Sequence, residues 1–134
     1  MLNQNKPYAQ AYNLISWHDK GYTGRNIRIA LFDEGAFLRD GMESYCKIPF
    51  PTEDTKPTHS TNVAAVLHEF APDAEILMLP LLGSNDAERL TYANWIVDPA
   101  NKIDLISCSC IVAGSDAAEY WRVLENSGIP MLIS

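Results

Sequence analysis

No apolar run in the sequence approaches the roughly 20 residues that span a bilayer, so a membrane-crossing helix is excluded as a reading of it. Basic residues are scarce: 10 Lys plus Arg stand against 17 Asp plus Glu, for a net charge of -7. That balance leaves no surplus of cations to displace counterions from nucleic acid, and it disfavours an anionic membrane surface as well. Neither is expected as a partner. Cysteine is limited to Cys46, Cys108 and Cys110. The last two are expected to share one face of a strand at a separation of roughly 6.6 Å along it, beyond disulfide reach. Cys and His at metal-binding spacings are missing, so no metal and no cofactor is expected, and the thiols are read as reduced core residues. The opening "MLNQNKPYAQ" has neither a basic nor an apolar leader region, which gives a cytoplasmic expectation.

What is present is an ordinary globular composition, 47% hydrophobic and 20% charged, over 134 residues that are expected to fold as a single domain, 1–134. Short β-branched runs alternate with helical patterns, the signature of βαβ units and a parallel sheet. A helical segment from Tyr8 to about Lys20 stops at "GYTG". "NIRIALFDEG" is a strand whose nearly continuous apolar run belongs between two covered faces, and it ends in Asp33. Residues 36–58 are irregular, with Pro49, Pro51 and Pro57 and a short strand near "SYCKI".

Ser60 to Glu69 is expected as a helix with Val63, Ala64, Val66 and Leu67 as its buried stripe. After it come the strand "AEILMLPLL", a helix over 86–97, the strand "IDLISCSC", a helix over 116–127, Gly128 as its C-cap, and the strand "IPMLIS". Tyr120, Trp121 and Trp95 are expected to pack in or around the core, and Glu88, Arg89, Glu119 and Arg122 to form solvated helix faces. The fold class is α/β: a three-layer, doubly wound parallel sheet of about five strands.

Such a fold places its site at the carboxyl ends of the strands. Asp33 stands there, and His59 begins a helix that starts at the same rim. A carboxylate that holds one imidazole nitrogen while the other takes a proton from a nucleophile is the base half of a triad. The helix N-terminus suits a neutral ring, the form that can accept a proton. His68, nine residues along the same helix, points to the opposite side and cannot share the task. Two other readings of the acid at the strand end fail on their own terms. A receiver-type phosphoacceptor site wants a lysine where the last strand has "MLIS", and a dinucleotide site wants a glycine-rich turn that "FDEGAFLRDG" lacks.

At this point the chain resembles the subtilases. "GYTGRNIRIALFDEG" is similar to the turn and first strand that end in Asp-(Ser/Thr)-Gly. "HSTNVAAVLHEFAPDAEILMLPLL" is similar to His-Gly-Thr-His-Val-Ala-Gly with its Ala-Pro turn and next strand. "IDLISCSC" resembles the strand ending in Asn-(Met/Leu)-Ser-(Leu/Phe)-Gly-Gly, and "ENSGIPMLIS" the strand leading to Ala-Gly-Asn. The resemblance runs from about residue 7 to the end. It implies that Asp33 and His59 are the catalytic acid and base, and that Ser109, Cys110 and Ile111 bind substrate.

The departures shape the functional expectation. None of the serines lies in Gly-Thr-Ser-Met-Ala or in Gly-x-Ser-x-Gly, and the sequence ends short of the family's oxyanion-hole Asn. Glu34 sets a second negative charge beside the acid. Ser60 and Ala65 stand for motif glycines, Asn62 for the second motif His, and Ile111 and Val112 for the paired glycines of the specificity pocket. The expectation is a serine-peptidase-like domain, inactive alone, that binds a peptide or partner protein. The alternative is one part of an active subtilase whose serine lies in further sequence or in a second chain. Either way a partner is expected at the last strand, as a complementary chain or a second copy, because an unpaired apolar edge invites association.

Overall fold

The computed structural model describes residues 7–110 and 118–134. Its strands are β1 Arg28–Glu34, β2 Cys46–Lys47, β3 Glu75–Leu82, β4 Leu105–Cys108 and β5 Met131–Ile133. Its α-helices are α1 Pro7–Ala11, α2 Leu14–Asp19, α3 His59–Phe70, α4 Asp86–Val97 and α5 Glu119–Glu125. The strands form one sheet of five in the order β2-β3-β1-β4-β5, and every pairing is parallel. This is the α/β architecture expected from the alternating pattern. Among the described residues no helix is long and apolar enough to cross a membrane.

Alternation along β1 builds the two cores. Ala30 and Phe32 turn to one face, where Leu77, Leu79, Tyr92, Ile96, Tyr120 and Leu124 enclose them beneath α4 and α5. Leu31 turns to the other face, where it joins Ile76, Met78 and Ala64 beneath α3. The same parity sends Asp33 to the α3 side, and this is how a two-residue period delivers the acid to the helix that carries His59.

Several boundaries differ from the sequence reading. The first helical segment is two helices, broken where Asn13 takes a left-handed φ of 53°. Val66 is 54% exposed and leaves the buried stripe of α3, while the hydroxyls of Ser60 and Thr61 are buried instead. β4 stops at Cys108 rather than running on through Cys110. α5 spans Glu119–Glu125, and the part of the expected helix before residue 118 lies outside the described residues. Gly128 takes a φ of +75° just past α5, as its expected role requires. Arg89 is no solvated charge. Its side chain is only 14% exposed, and its Nε donates to the Leu81 carbonyl at 2.9 Å.

At the N-terminal end of the sheet, Glu75 lies between Arg28 and Lys47. The hydrogen bond from Lys47, supported by Arg28 and opposed by burial, holds its carboxyl below the usual value of 4.5. His68 stacks on Tyr45 with ring centroids 3.7 Å apart, and burial lowers its pKa from 6.5. Both shifts have one consequence for stability. Below pH 6.5 the unfolded chain protonates His68 while the folded chain resists, and below 4.5 the same holds for Glu75. Stability is therefore full above these values and falls as pH drops through each. Thermal melts should show the first loss below about pH 6.5, and His68→Phe, which keeps the stack and removes the proton site, should flatten that limb.

Candidate active site

β1 ends in an irregularity: its register against β3 shifts between Asp33 and Glu34. Such shifts re-aim a side chain. Asp33 is wholly buried, and Glu34 is turned outward. A buried carboxylate must be hydrogen-bonded to be tolerated, and this one is. Its Oδ1 accepts from the Glu34 N–H at 2.6 Å and meets His59 Nδ1 at 2.7 Å. Its Oδ2 accepts from the Ser109 N–H at 3.1 Å.

A carboxylate can only accept, so the proton of the Asp33–His59 bond belongs to Nδ1 and the lone pair to Nε2. The His59 side chain is 45% exposed although its Nδ1 edge faces a buried acid. Nε2 is thus the edge presented to solvent. This is the tautomer and the orientation that a general base for a hydroxyl requires.

The helix that carries His59 is fixed by hydroxyls. Thr58 is the N-cap, and its backbone N–H donates to Thr61 Oγ1 at 3.0 Å. Ser60 Oγ donates to the Gly35 carbonyl and Thr61 Oγ1 to the Phe37 carbonyl, each at 2.7 Å. These bonds lock the first turn of α3 to the loop that follows Asp33. Gly35 permits the approach: it takes a φ of +64°, and a Cβ there would lie 2.6 Å from Thr58 Cγ2 and 2.8 Å from Asp54 Oδ2. Asp54 in turn accepts the Ala36 N–H at 2.8 Å.

The structure thus brings Asp33, His59 and Ser109 together, with Cys110 beside them. Cys108 Sγ donates to the Cys110 carbonyl at 3.0 Å. Burial first, then the nearby Asp33 charge and the Cys108 thiol, push the Cys110 thiol far up. Burial likewise raises Cys46, to about 12, and Cys108. All of them are free cysteines. Ile111 and Val112 lie outside the described residues. His68, stacked on Tyr45, takes no part in the site. The residues that sequence reasoning missed are Ser60, Thr61 and Asp54. The only signal was the small polar residue after His59, which resembled a lost glycine rather than a gained anchor.

Among the described residues, clefts lie at both ends of the sheet. One of about 420 Å³, lined by Arg25, Tyr45, Lys47, Asp73 and Glu75, lies at the N-terminal ends of the strands, away from His59. The other, of about 520 Å³, lies at the same rim as the acid–base pair and is lined by Thr52, Asp54, Pro80, Leu82, Ser84 and Tyr92. Among the described residues no cluster of His, Cys, Asp and Glu could hold a metal ion.

A buried acid that aligns an exposed imidazole at the carboxyl rim of a parallel sheet defines an α/β domain equipped for acid–base chemistry. No family model matches the chain. Over 133 aligned residues it is 29% identical to the membrane-bound transcription factor site-1 protease of Homo sapiens and equally to that of Rattus norvegicus. The alignment covers 81% of this chain and 12% of the length of those relatives. Among solved structures it is similar to the PatG macrocyclase in complex with peptide, with a TM-score of 0.54 and 11% identity over 98% of this chain and 55% of that one. The chain is a subtilase-like domain.

Proposed function

We propose that Asp33 and His59 form the acid–base unit of a serine-peptidase apparatus whose nucleophile comes from outside these residues. His59 Nε2 takes the proton of a serine hydroxyl as that oxygen attacks a peptide carbonyl. Asp33 holds the ring in the required tautomer and stabilises the imidazolium that forms. The proton then passes to the leaving amine. The observation that carries this reading is the 2.7 Å contact between His59 Nδ1 and a fully buried Asp33, with Nε2 left on the exposed side.

By itself the chain does not cleave peptides, because acid, base and nucleophile act as a unit and loss of one removes nearly the whole effect. Its own contribution is then to bind: an extended peptide along the 520 Å³ cleft at the rim, or a partner at the outer edge of β5, where Leu132 and Ile133 are 60% and 52% exposed. A pseudoprotease role is favoured by the loss of the motif residues at Ser60, Asn62 and Ala65. A subunit role is favoured by the intact pair and by the protease relatives.

Mixing the chain with a polypeptide that carries a Gly-Thr-Ser-Met-Ala segment and assaying peptide cleavage separates the two. Cleavage that appears on mixing and vanishes with His59→Ala supports the subunit. Binding without cleavage supports the pseudoprotease, and cleavage that survives His59→Ala sinks the acid–base assignment.

A further inference from the structure

Two consecutive residues of α3 stand in opposite surroundings. The His59 side chain is 45% exposed, whereas Ser60 is wholly buried. A buried hydroxyl costs stability unless it is hydrogen-bonded, and Ser60 Oγ has two partners. It donates to the Gly35 carbonyl at 2.7 Å and lies 2.9 Å from Thr58 Oγ1. A hydroxyl has a single proton to give. Those of Ser60 and Thr61 go to the Gly35 and Phe37 carbonyls, so in this cluster the Thr58 hydroxyl is the donor, and Ser60 Oγ at 2.9 Å is nearer to it than Thr61 Oγ1 at 3.2 Å. The bonds therefore run from Thr58 to Ser60 to the Gly35 carbonyl.

That chain of bonds starts next to His59 in sequence and ends two residues after Asp33. It closes a small circuit. Asp33 and Gly35 are joined through Glu34, His59 and Ser60 are joined by one peptide bond, and two hydrogen bonds of 2.7 Å complete the loop: Ser60 Oγ to the Gly35 carbonyl, and His59 Nδ1 to Asp33 Oδ1. In so short a circuit, one hydrogen bond restricts the length of the other.

We propose that Ser60 is a positioning residue for the acid–base pair: its hydroxyl anchors the first turn of α3 to the Gly35 carbonyl and so holds His59 Nδ1 against Asp33. The inference rests on the acid–base reading of the pair. It assigns a task to a residue that the sequence pattern shows only as a missing motif glycine. A glycine at this place would leave both the Gly35 carbonyl and the Thr58 hydroxyl without this partner. The close packing on the other side of the circuit agrees with the role, since a Cβ on Gly35 would lie 2.6 Å from Thr58 Cγ2. Thr61 makes a parallel tie to the Phe37 carbonyl, four residues from Asp33, so the Ser60 tie is the nearer of the two to the acid.

The test reads the His59 ring without requiring catalysis. Histidine-selective 15N spectra, recorded above the imidazole titration range and assigned with His59→Gln, report the ratio of Nδ1–H to Nε2–H tautomers. The chain should show the Nδ1–H form in excess. Ser60→Ala and Ser60→Gly each remove the anchor and should lower that ratio by about threefold, at the lower end of what one ordinary hydrogen bond is worth. Cys46→Ala, which truncates a side chain buried in the α3-side core, should cost stability and leave the ratio unchanged. An unchanged ratio in the Ser60 variants overturns the inference, and so does an equal fall in Cys46→Ala. Loss of the fold in both Ser60 variants overturns it as well, because the hydroxyl would then serve the fold rather than the pair. Absence of the Nδ1–H excess in the unmodified chain overturns the acid–base reading itself.

Discussion

Asp33→Asn should lower peptide cleavage by a serine-complemented assembly by about 10⁴-fold while leaving the fold in place. The amide is isosteric with the carboxylate, so its oxygen at the Oδ2 place still accepts from the Ser109 N–H, while the Glu34 N–H, which bonds Oδ1, loses its acceptor. What changes is the sign of one partner: an Asn NH₂ facing Nδ1 donates where Asp33 accepted. His59 then carries its proton on Nε2, the edge that has to receive one. Turnover should collapse at saturating peptide with little change in KM, because the lost interaction belongs to the transition state. Thermal unfolding within a few degrees of the unmodified chain would show that the loss is chemical. An Asp33→Asn assembly that keeps a tenth or more of the rate would remove Asp33 from the mechanism.

Phe32→Ala should be the most damaging of the core truncations to stability. Phe32 is completely buried at the centre of the sheet, edge-on to Tyr120 with centroids 6.2 Å apart and tilted against Trp121 at 6.4 Å. Truncating a buried Phe costs about 3–5 kcal/mol, from lost transfer energy and from the cavity left behind. In a domain of this size that lowers the melting temperature by about 12–20 °C. The total stability of such a domain is about 5–15 kcal/mol, so a sizeable fraction of it depends on this ring. Val66→Ala, at an exposed position on α3, should by contrast change stability by less than about 0.5 kcal/mol. Chemical denaturation of the two variants side by side checks both values. A cost below about 1 kcal/mol for Phe32→Ala would mean that the aromatic cluster does not carry the core.

The acid–base pair was legible in the sequence because two local signals converge on it. An apolar strand that ends in an acid fixes one partner, and a helix that starts with a histidine fixes the other, while α/β topology sends both to the same rim. The period of two along β1 and the caps and glycines at the element ends carried most of the fold. What was hidden depends on long-range partners. Nothing in "HSTNV" says that the hydroxyls of Ser60 and Thr61 face the carbonyls of Gly35 and Phe37, more than twenty residues away. Val66 fits an apolar stripe by spacing, yet it is exposed, and spacing alone does not say where the buried face of α3 ends. "IDLISCSC" reads as one continuous strand, yet its last residues leave the sheet to serve Asp33, and no periodicity marks the point where one partner replaces another. Arg89 was misread because its neighbours in sequence are charged, while its guanidinium reaches back to a strand carbonyl.

A fluorophosphonate probe, which reacts only with an activated serine, addresses the central claim most directly. The chain alone should remain unlabelled, and the chain mixed with a Gly-Thr-Ser-Met-Ala polypeptide should become labelled on that polypeptide, with the label lost on His59→Ala. Stoichiometric labelling of the chain alone, or labelling of the mixture that persists without His59, would contradict the account.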